Sequence, residues 1–296
     1  MDDSRDARPS ASAVELKTKN RDQLAYPLPA GSAETERLIR QSAFINAFTR
    51  ALFAEAGIAP GMRVLDVGSG AGDVALIAAD MVGPTGEVVG IDRNGAALSV
   101  ARARATTVGF AHVTFREGDL ADLDPNDRFD AVVGRLVLMY MPDPAATLKA
   151  LARHVRPGGI VAFGEYNIMP VAMRDLPAMP LAQKLFGWIE GAFRHAGAET
   201  AMGNKLFPAF RKAGLPFPML SLMSHMGGGP EWDGYAYAAA TVRSLLPLIL
   251  KAGLSSEEEI GIDTLEERLR AETVAANGII RLPELINAWA RVGDRS

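Results

Sequence analysis

Short apolar runs alternate along the chain with longer segments in which apolar residues recur every three or four positions. The short runs are typical of buried strands, and the helical period predicts helices that pack on them. The predicted strands cover residues 63–68, 87–92, 113–118, 129–134 and 160–165, and the helices between them cover 73–82, 95–107 and 144–155. This alternation predicts an α/β fold with a parallel sheet, which binds ligands outside the carboxyl ends of its strands.

The segments before and after this core differ from it in composition. Residues 1–22 are polar and are predicted to be a disordered tail, and residues 23–58 carry apolar positions at helical spacing. Residues 166–212 follow the core at 59–165 and are rich in methionine and aromatic side chains, which adapt to irregular apolar ligands. This insertion is predicted to be a helical lid over a substrate.

The last segment, residues 213–296, is predicted to complete the sheet and to add helices to it. The glycines at 227–229 predict a flexible turn within it. Strands are predicted at 217–224 and within 279–290, and helices at 263–275 and at 233–251, the latter broken or kinked at Pro247.

Composition and charge narrow the class of partner. The chain has a net charge of −4 and no dense run of Lys and Arg, so we expect no nucleic-acid partner. It has no cysteine, which excludes disulfides, thiolate chemistry and cysteine metal sites. No apolar stretch approaches the roughly 20 residues needed to cross a bilayer, and the first residues lack the apolar core of a signal peptide. We therefore expect a cytoplasmic protein without a membrane span, and no residue spacing indicates a metal site.

Three glycines at alternate positions, Gly68, Gly70 and Gly72, link the first predicted strand to the first core helix. Glycine lacks a Cβ, so the loop can adopt unusual dihedral angles and lets a ligand approach the main chain closely. The start of the following helix presents unpaired N–H groups to that ligand. The loop therefore predicts a nucleotide-type ligand held by the backbone.

Acidic residues around the loop indicate the charge of this ligand. Asp66 lies in the strand and Asp73 at the helix start, and two carboxylates are unfavourable beside the pyrophosphate of a dinucleotide. The spacing G-x-G-x-G also differs from the dinucleotide pattern G-x-G-x-x-G. The two acids suit a ligand with positive charge, such as the ammonium and sulfonium of S-adenosylmethionine. Asp92, at the end of the second strand, is placed to accept both ribose hydroxyls.

An ordered series of motifs accompanies the loop from Arg63 to about Glu165. The series reads VLDVGSGAGD, VVGIDRN, EGDLADLD, FDAVVGRLVLMYMPDP and RPGGIVAFGE. In this order the motifs resemble those of class I S-adenosylmethionine-dependent methyltransferases, and most of all bacterial small-molecule enzymes related to the ubiquinone/menaquinone C-methyltransferases. The resemblance implies a three-layer Rossmann-like fold with a seven-stranded, mostly parallel sheet whose last strand is antiparallel.

The resemblance also implies a set of residues that bind S-adenosylmethionine, which leaves as S-adenosylhomocysteine. Asp119 would accept from the adenine amine, the Leu120 backbone would contact the ring, and an N-terminal segment would fold over the methionine end. Ser69 stands where cysteine is frequent, which matters little if the backbone makes the contact. The expected cofactor-binding residues are Tyr26, Gln41, Asp66, Gly68, Ser69, Gly70, Gly72, Asp92, Arg93, Gly118, Asp119, Leu120 and Arg135.

Several of these residues have a structural alternative. Packing or surface polarity is the alternative for Tyr26 and Gln41, and a turn or a helix cap is the alternative for Asp119. The Arg135 guanidinium has the alternative of pairing with Asp66 or Glu165, while its backbone contacts the cofactor. These alternatives stay open on sequence grounds.

Methyl transfer from a sulfonium requires alignment with the acceptor and exclusion of water, and a general base only if the acceptor must lose a proton. His225, between the sixth predicted strand and a glycine turn, and Tyr140, after the fourth strand, are candidate catalytic residues. A structural role is the alternative for His225. Glu165 and Tyr166 are further polar groups near the strand ends, and Glu165 has the alternative of being buried and paired.

The expected function is methyl transfer from S-adenosylmethionine to an O, N or C atom of a largely apolar small molecule, by a monomer or a homodimer. One alternative is a protein of the same fold that binds this cofactor but catalyses another reaction or none. A less favoured alternative, which the glycine spacing counts against, is an NAD(P)-dependent oxidoreductase.

Overall fold

A computed structural model of the protein describes residues 32–168 and 178–293, with the side chains of residues 44–168 and 178–293. The predicted tail and the candidate Tyr26 lie outside the described residues, and the side chain of Gln41 is not among those described. Within these ranges no helix is both long enough and apolar enough to cross a bilayer.

The described chain forms nine strands and nine helices. The strands are β1 (Arg63–Val67), β2 (Glu87–Asp92), β3 (Val113–Glu117), β4 (Phe129–Arg135), β5 (Val155–Asn167), β6 (Met219–Met223), β7 (Met226–Gly227), β8 (Ile280–Arg281) and β9 (Glu284–Arg291). The helices are α1 (Ser32–Ala56), α2 (Asp73–Val82), α3 (Gly95–Thr107), α4 (Pro144–Leu151), α5 (Pro180–His195), α6 (Met202–Lys212), α7 (Gly234–Lys251), α8 (Glu257–Ile260) and α9 (Leu265–Ala275).

Seven of these strands form one sheet in the order β3-β2-β1-β4-β5-β9-β6, and β7 pairs with β8 in a small second sheet. Neighbouring strands from β3 to β5 are parallel, whereas β9 runs antiparallel to both β5 and β6. The predicted Rossmann-like sheet, mostly parallel with an antiparallel last strand, is confirmed. Its strand ends place the glycine loop, Asp92 and Arg135 along one edge.

The sheet is covered on both faces because its central strands are apolar on both sides. Adjacent residues of a strand point to opposite faces, and both Val64 and Leu65 are fully buried. Val64 packs in a cluster with residues of α1, α2 and α3, whereas Leu65 packs with residues of α4, α5, α6 and α7. The result is the predicted three-layer arrangement.

The C-terminal part of the chain departs from its predicted elements at prolines. The last predicted strand divides into β8 and β9, because Pro283 between them has no N–H to donate to a ladder. Helix α7, in contrast, continues through Pro247, so the predicted break does not occur. Leu245 and Ile249 on either side of Pro247 are buried, and their packing outweighs one missing hydrogen bond.

The described part of the predicted lid consists of α5, α6 and the residues around them. The start of α5 is fixed by Glu272 of α9, whose carboxylate accepts from the main-chain N–H of Leu181 at 2.8 Å and of Ala182 at 3.0 Å. Leu185 and Trp188 of α5 are buried in the core. These contacts give α5 a packing role, while its role over a substrate stays a prediction.

Candidate active site

The glycine loop between β1 and α2 has the backbone conformation that its sequence predicts. Gly68, Gly70 and Gly72 have φ values of +70°, +49° and +87°, in the left-handed region that favours glycine. A Cβ on Gly68 would lie 2.7 Å from a methyl carbon of Val137, and one on Gly72 would lie 2.9 Å from the Cβ of Ala101. A Cβ on Gly70 would meet no atom within 4 Å. Gly70 therefore borders open space, as a backbone cradle for a ligand requires.

Asp92, at the end of β2, holds this loop in place. Its Oδ2 accepts from the main-chain N–H of Gly70 at 2.8 Å, and its Oδ1 accepts from that of Asn94 at 2.8 Å. An ionised carboxylate has about four acceptor positions, so two remain for the donors of a ligand. Asp92 is partly exposed, which leaves those positions accessible.

Asp66 is the most unusual acid of the site. Its side chain is fully buried, and within the described part of the chain neither carboxyl oxygen has a hydrogen-bond partner. The hydroxyl of Ser69 donates to the main-chain carbonyl of Asp66 at 3.1 Å. Burial raises the pKa of Asp66 to about 8, although the charge of Arg135 opposes the shift. A buried acid without a partner beside an open loop is suited to a cationic group of a ligand.

The predicted adenine-binding residues lie where β2 and β3 end. The main-chain N–H of Gly118 donates to the main-chain carbonyl of Asp92 at 3.0 Å, which joins the two strand ends. The side chain of Asp119 forms an ion pair with Arg93, and both are substantially exposed. An exposed pair of this kind contributes little free energy, so Asp119 can exchange Arg93 for a ligand amine. Leu120 begins a short 3₁₀ turn directly after Asp119.

Arg135, at the end of β4, connects the sheet to α1. Its Nη1 donates to Oδ1 of Asn46 at 3.0 Å and to the hydroxyl of Thr49 at 2.8 Å. The sequence left open an ion pair of Arg135 with Asp66 or Glu165. Among the described side chains, its hydrogen-bond partners are instead Asn46 and Thr49. The next residue, Leu136, has φ of +56°, a strained conformation for a residue other than glycine and one found often at functional sites.

Glu165 is buried and paired, as one of its two sequence alternatives proposed. Its carboxylate accepts from three consecutive main-chain N–H groups, those of Val137 at 3.0 Å, Leu138 at 2.7 Å and Met139 at 3.2 Å. Burial raises the pKa of Glu165 to about 7, and these hydrogen bonds oppose the shift. Glu165 thereby fixes the 3₁₀ turn that carries the candidate Tyr140, which is partly exposed.

His225 contacts α1 rather than open space. Its Nε2 lies 2.7 Å from the main-chain oxygen of Phe44, and a carbonyl only accepts, so Nε2 carries the proton. The imidazole ring also contacts the rings of Phe44 and Phe48, with centroids 4.2 Å and 4.5 Å away. This geometry favours the structural alternative, and the role of His225 as a base stays a prediction.

The sequence interpretation named Tyr166 but missed the residues of α1 and α7 that contact the strand ends. The hydroxyls of Tyr166, on β5, and Tyr237, on α7, lie 3.3 Å apart, and the ring of Phe44 stacks on Tyr237 with centroids 4.8 Å apart. Asn46 and Thr49 join them through Arg135. Asn46 and Thr49 are three positions apart on a largely apolar helix face, and this spacing could have identified them as a polar pair.

No cluster of three or more His, Asp or Glu side chains is placed to hold a metal ion in residues 44–168 and 178–293. The site instead offers an open backbone loop, a buried acid, a partly exposed acid and a polar cluster under α1. These groups suit a ligand that has a cationic end and a ribose.

Comparison with known proteins places the chain in a family. Residues 58–213 match a family model described as "Methyltransferase domain". The chain is 45% identical over 114 residues to a ubiquinone biosynthesis O-methyltransferase of Alkalilimnicola ehrlichii, a match that covers 37% of this chain and 44% of the relative. It is 30% identical over 191 residues to a demethylmenaquinone methyltransferase of Bacillus cytotoxicus, covering 59% of this chain and 81% of the relative.

A solved structure of a candidate methyltransferase from Bacillus halodurans has the same fold. It superposes with a TM-score of 0.55 at 18% identity, and the match covers 83% of this chain and 99% of that one. The chain spans less than half the length of several curated relatives that it matches. The family model nevertheless covers more than half of this chain, from before β1 to the end of α6. The chain therefore belongs to the methyltransferase-domain family, the class I S-adenosylmethionine-dependent methyltransferases.

Proposed function

We propose that the protein transfers a methyl group from S-adenosylmethionine to an O, N or C atom of a largely apolar small molecule. One observation carries the proposal: the fully buried Asp66 has no hydrogen-bond partner among the described residues and lies beside a glycine loop that is open at Gly70. A buried acid is costly unless a cation compensates it, and the cofactor carries an ammonium group.

The other residues around the loop fit the remaining parts of the cofactor. In this proposal the ammonium lies against Asp66, and the backbone of Gly68, Ser69 and Gly70 lines the methionine end. Asp92 accepts from the ribose hydroxyls with the acceptor positions that its two main-chain partners leave free.

The adenine and the entrance to the site involve residues farther from the loop. Asp119 accepts from the adenine amine, and Gly118 and Leu120 border the ring. The backbone of Arg135 faces the methionine end, where Tyr26 and Gln41 stay candidates, and Arg93 and Gly72 support the surrounding loops. When bound, the sulfonium supplies a methyl carbon that is already activated for in-line displacement.

The chain's own contribution is then to align the acceptor and to exclude water. Helix α1 is suited to exclude water, because Arg135 and His225 tie it to the strand ends. An apolar acceptor is supported by the aromatic residues Phe44 and Phe48 of α1 and by two relatives named for ubiquinone biosynthesis and demethylmenaquinone.

Calorimetric titration tests the cofactor. We expect micromolar affinity for S-adenosylmethionine and S-adenosylhomocysteine and none for NADH. Asp66→Asn is the matched variant, because it keeps the shape of the side chain and removes the charge, and it should weaken both sulfur ligands at least about tenfold. Unchanged affinity in Asp66→Asn, or binding of NADH, would contradict the proposal.

Methyl transfer itself needs a second measurement. A protein of this fold that binds the cofactor but catalyses another reaction would pass the binding test. Formation of S-adenosylhomocysteine together with a methylated hydroquinone, detected by mass spectrometry, separates the two functions. Cofactor binding without methylation of any apolar hydroxyl, amine or carbon acid would favour the alternative.

A further inference from the structure

A pair of tyrosine hydroxyls lies at the carboxyl edge of the sheet, outside the predicted cofactor contacts. Tyr166, from the end of β5, and Tyr237, from the first turn of α7, have their hydroxyl oxygens 3.3 Å apart. The Tyr237 ring stacks on Phe44 of α1 at an interplanar angle of 25°. Three elements that are distant in sequence thus converge on two phenol groups.

A positive charge lies close to this pair. Arg135 lies opposite Gly164 in the register of β4 and β5, two residues before Tyr166. Its Nη1 binds Asn46 of α1, and Phe44 on the same helix stacks on Tyr237. The charge of Arg135 favours ionisation of Tyr166.

Burial lowers the pKa of Arg135, so water solvates the guanidinium poorly. Its hydrogen-bond partners among the described side chains, Asn46 and Thr49, are neutral. The charges of Asp73 and Asp66 favour the charged guanidinium. However, Asp73 forms an ion pair with Arg104, and the raised pKa of Asp66 keeps that carboxyl largely protonated at neutral pH. The positive charge of Arg135 is therefore only partly compensated, and an anion that binds beside it is stabilised.

The tyrosines themselves act as donors at neutral pH. Burial and the neighbouring Tyr237 raise the pKa of Tyr166 well above 10, so its phenol keeps its proton. A phenol of this kind does not serve as a base, but it donates a strong hydrogen bond to an ionised oxygen. Two such donors beside a guanidinium form a site for one oxyanion.

We propose that Tyr166 and Tyr237, together with the charge of Arg135, bind the ionised oxygen of a phenol-type methyl acceptor. This inference rests on the proposed methyltransferase function and names the acceptor class. On binding, the acceptor hydroxyl releases its proton to solvent, and the two tyrosine hydroxyls turn toward the resulting oxyanion. The stacked Phe44 and Tyr237 rings provide the apolar wall that an aromatic acceptor needs.

The experiment uses the full chain saturated with S-adenosylhomocysteine and 4-nitrophenol as the probe, because the absorbance of 4-nitrophenol reports its ionisation. We expect the bound probe to be ionised at a lower pH than the free probe. Tyr166→Phe and Tyr237→Phe should each weaken probe binding about tenfold or more, since each loses one hydrogen bond to a charged oxygen. Tyr235→Phe is the matched control, because Tyr235 lies on the same helix but is buried against Trp232.

The outcomes separate this inference from the proposed function. Normal affinity for S-adenosylhomocysteine with loss of probe binding in Tyr166→Phe and Tyr237→Phe, but not in Tyr235→Phe, supports both. Absence of probe binding by the loaded wild-type protein, binding of the un-ionised probe, or equal binding by all variants overturns the acceptor site alone. If Tyr166→Phe and Tyr237→Phe lose affinity for S-adenosylhomocysteine as strongly as for the probe, the tyrosine pair belongs to the cofactor site. That outcome also overturns the proposed acceptor site. Failure of the wild-type protein to bind S-adenosylhomocysteine overturns the proposed function first.

Discussion

The main-chain N–H of Gly70 donates to Oδ2 of Asp92 at 2.8 Å, across 22 positions of sequence. The acid predicted to bind a ribose therefore also fixes the position of the glycine loop. Loop and acid form one unit, because a shift of either breaks the hydrogen bond between them. Changes at Asp92 should consequently affect both ligand affinity and the stability of the loop.

Replacement of Asp92 by alanine removes the acceptor of two main-chain N–H groups, those of Gly70 and Asn94. We expect the affinity for S-adenosylhomocysteine to fall about a hundredfold or more and the free energy of unfolding to fall by about 1–3 kcal/mol. Calorimetry and urea unfolding measure the two effects. Asp92→Asn keeps one acceptor oxygen and should lie between the wild-type protein and Asp92→Ala. An unaltered affinity in Asp92→Ala would show that Asp92 is not at the ligand.

Two substitutions at Gly70 separate backbone strain from blockage of the ligand. A side chain there meets open space but must adopt φ of +49°, which costs about 1–2 kcal/mol. Gly70→Ala and Gly70→Val should both lower stability, and the valine variant should in addition abolish S-adenosylhomocysteine binding because its methyl groups fill the cradle. Thermal unfolding and calorimetry on both variants test this. Equal ligand affinity in the two variants would place the ligand elsewhere.

The raised pKa of Asp66 predicts a pH-dependent affinity. The unliganded protein holds Asp66 protonated below about pH 8, whereas an ammonium group requires the carboxylate. Ligand binding should therefore release a proton, and the affinity for S-adenosylhomocysteine should rise up to about tenfold per pH unit until about pH 8. Calorimetry in buffers of different ionisation enthalpy counts the proton. Asp66→Asn should bind weakly at every pH without this proton release, and the same slope in that variant would contradict the assignment.

The raised pKa of Glu165 should make the folded protein less stable as the pH rises. The pKa of Glu165 rises from 4.5 to about 7 on folding, so the folded protein binds the proton more tightly than the unfolded chain. Its contribution to the free energy of unfolding is present below about pH 4.5 and is lost as the pH rises to about 7, by up to about 1.4 kcal/mol per unit.

Glu165→Gln removes this titration and leaves some of the three main-chain N–H groups without an acceptor. It should destabilise the protein most at about pH 5, and the difference from the wild-type protein should shrink toward about pH 8. Urea unfolding at the two pH values measures it. A difference that is the same at the two pH values would mean that Glu165 is ionised throughout in the folded protein.

The contact of His225 with Phe44 predicts the effect of removing the imidazole. His225→Ala should lower the free energy of unfolding by about 1–2 kcal/mol, because it removes the hydrogen bond to the Phe44 carbonyl and leaves the rings of Phe44 and Phe48 without their neighbour. Affinity for S-adenosylhomocysteine should stay within a factor of about three. A loss of turnover at unchanged stability, with a lost pKa in the pH–rate profile, would restore the role of His225 as a base.

The positions of the glycine loop and of the acids beside it could be predicted from sequence, because each of these residues lies in or directly after a short strand. Gly68, Gly70 and Asp66 lie within one strand and loop, and Asp92 ends the next strand, so periodicity and the topology of parallel sheets place them together. The side-chain partners of Arg135 could not be found in this way. Asn46 and Thr49 come from a helix more than 80 positions earlier, and no local pattern fixes how that helix crosses the sheet edge.

The sequence by itself determined the alternation of strands and helices and the position of the glycine loop with its neighbouring acids, since these depend on hydrophobic period, on glycine conformation and on residues close in the chain. Tertiary structure decided the rest. The hydroxyl pair of Tyr166 and Tyr237 joins residues 71 positions apart, and the His225–Phe44 contact joins residues 181 positions apart. Such pairings depend on how helices pack across a sheet, and only the folded chain brings their polar groups within hydrogen-bond distance.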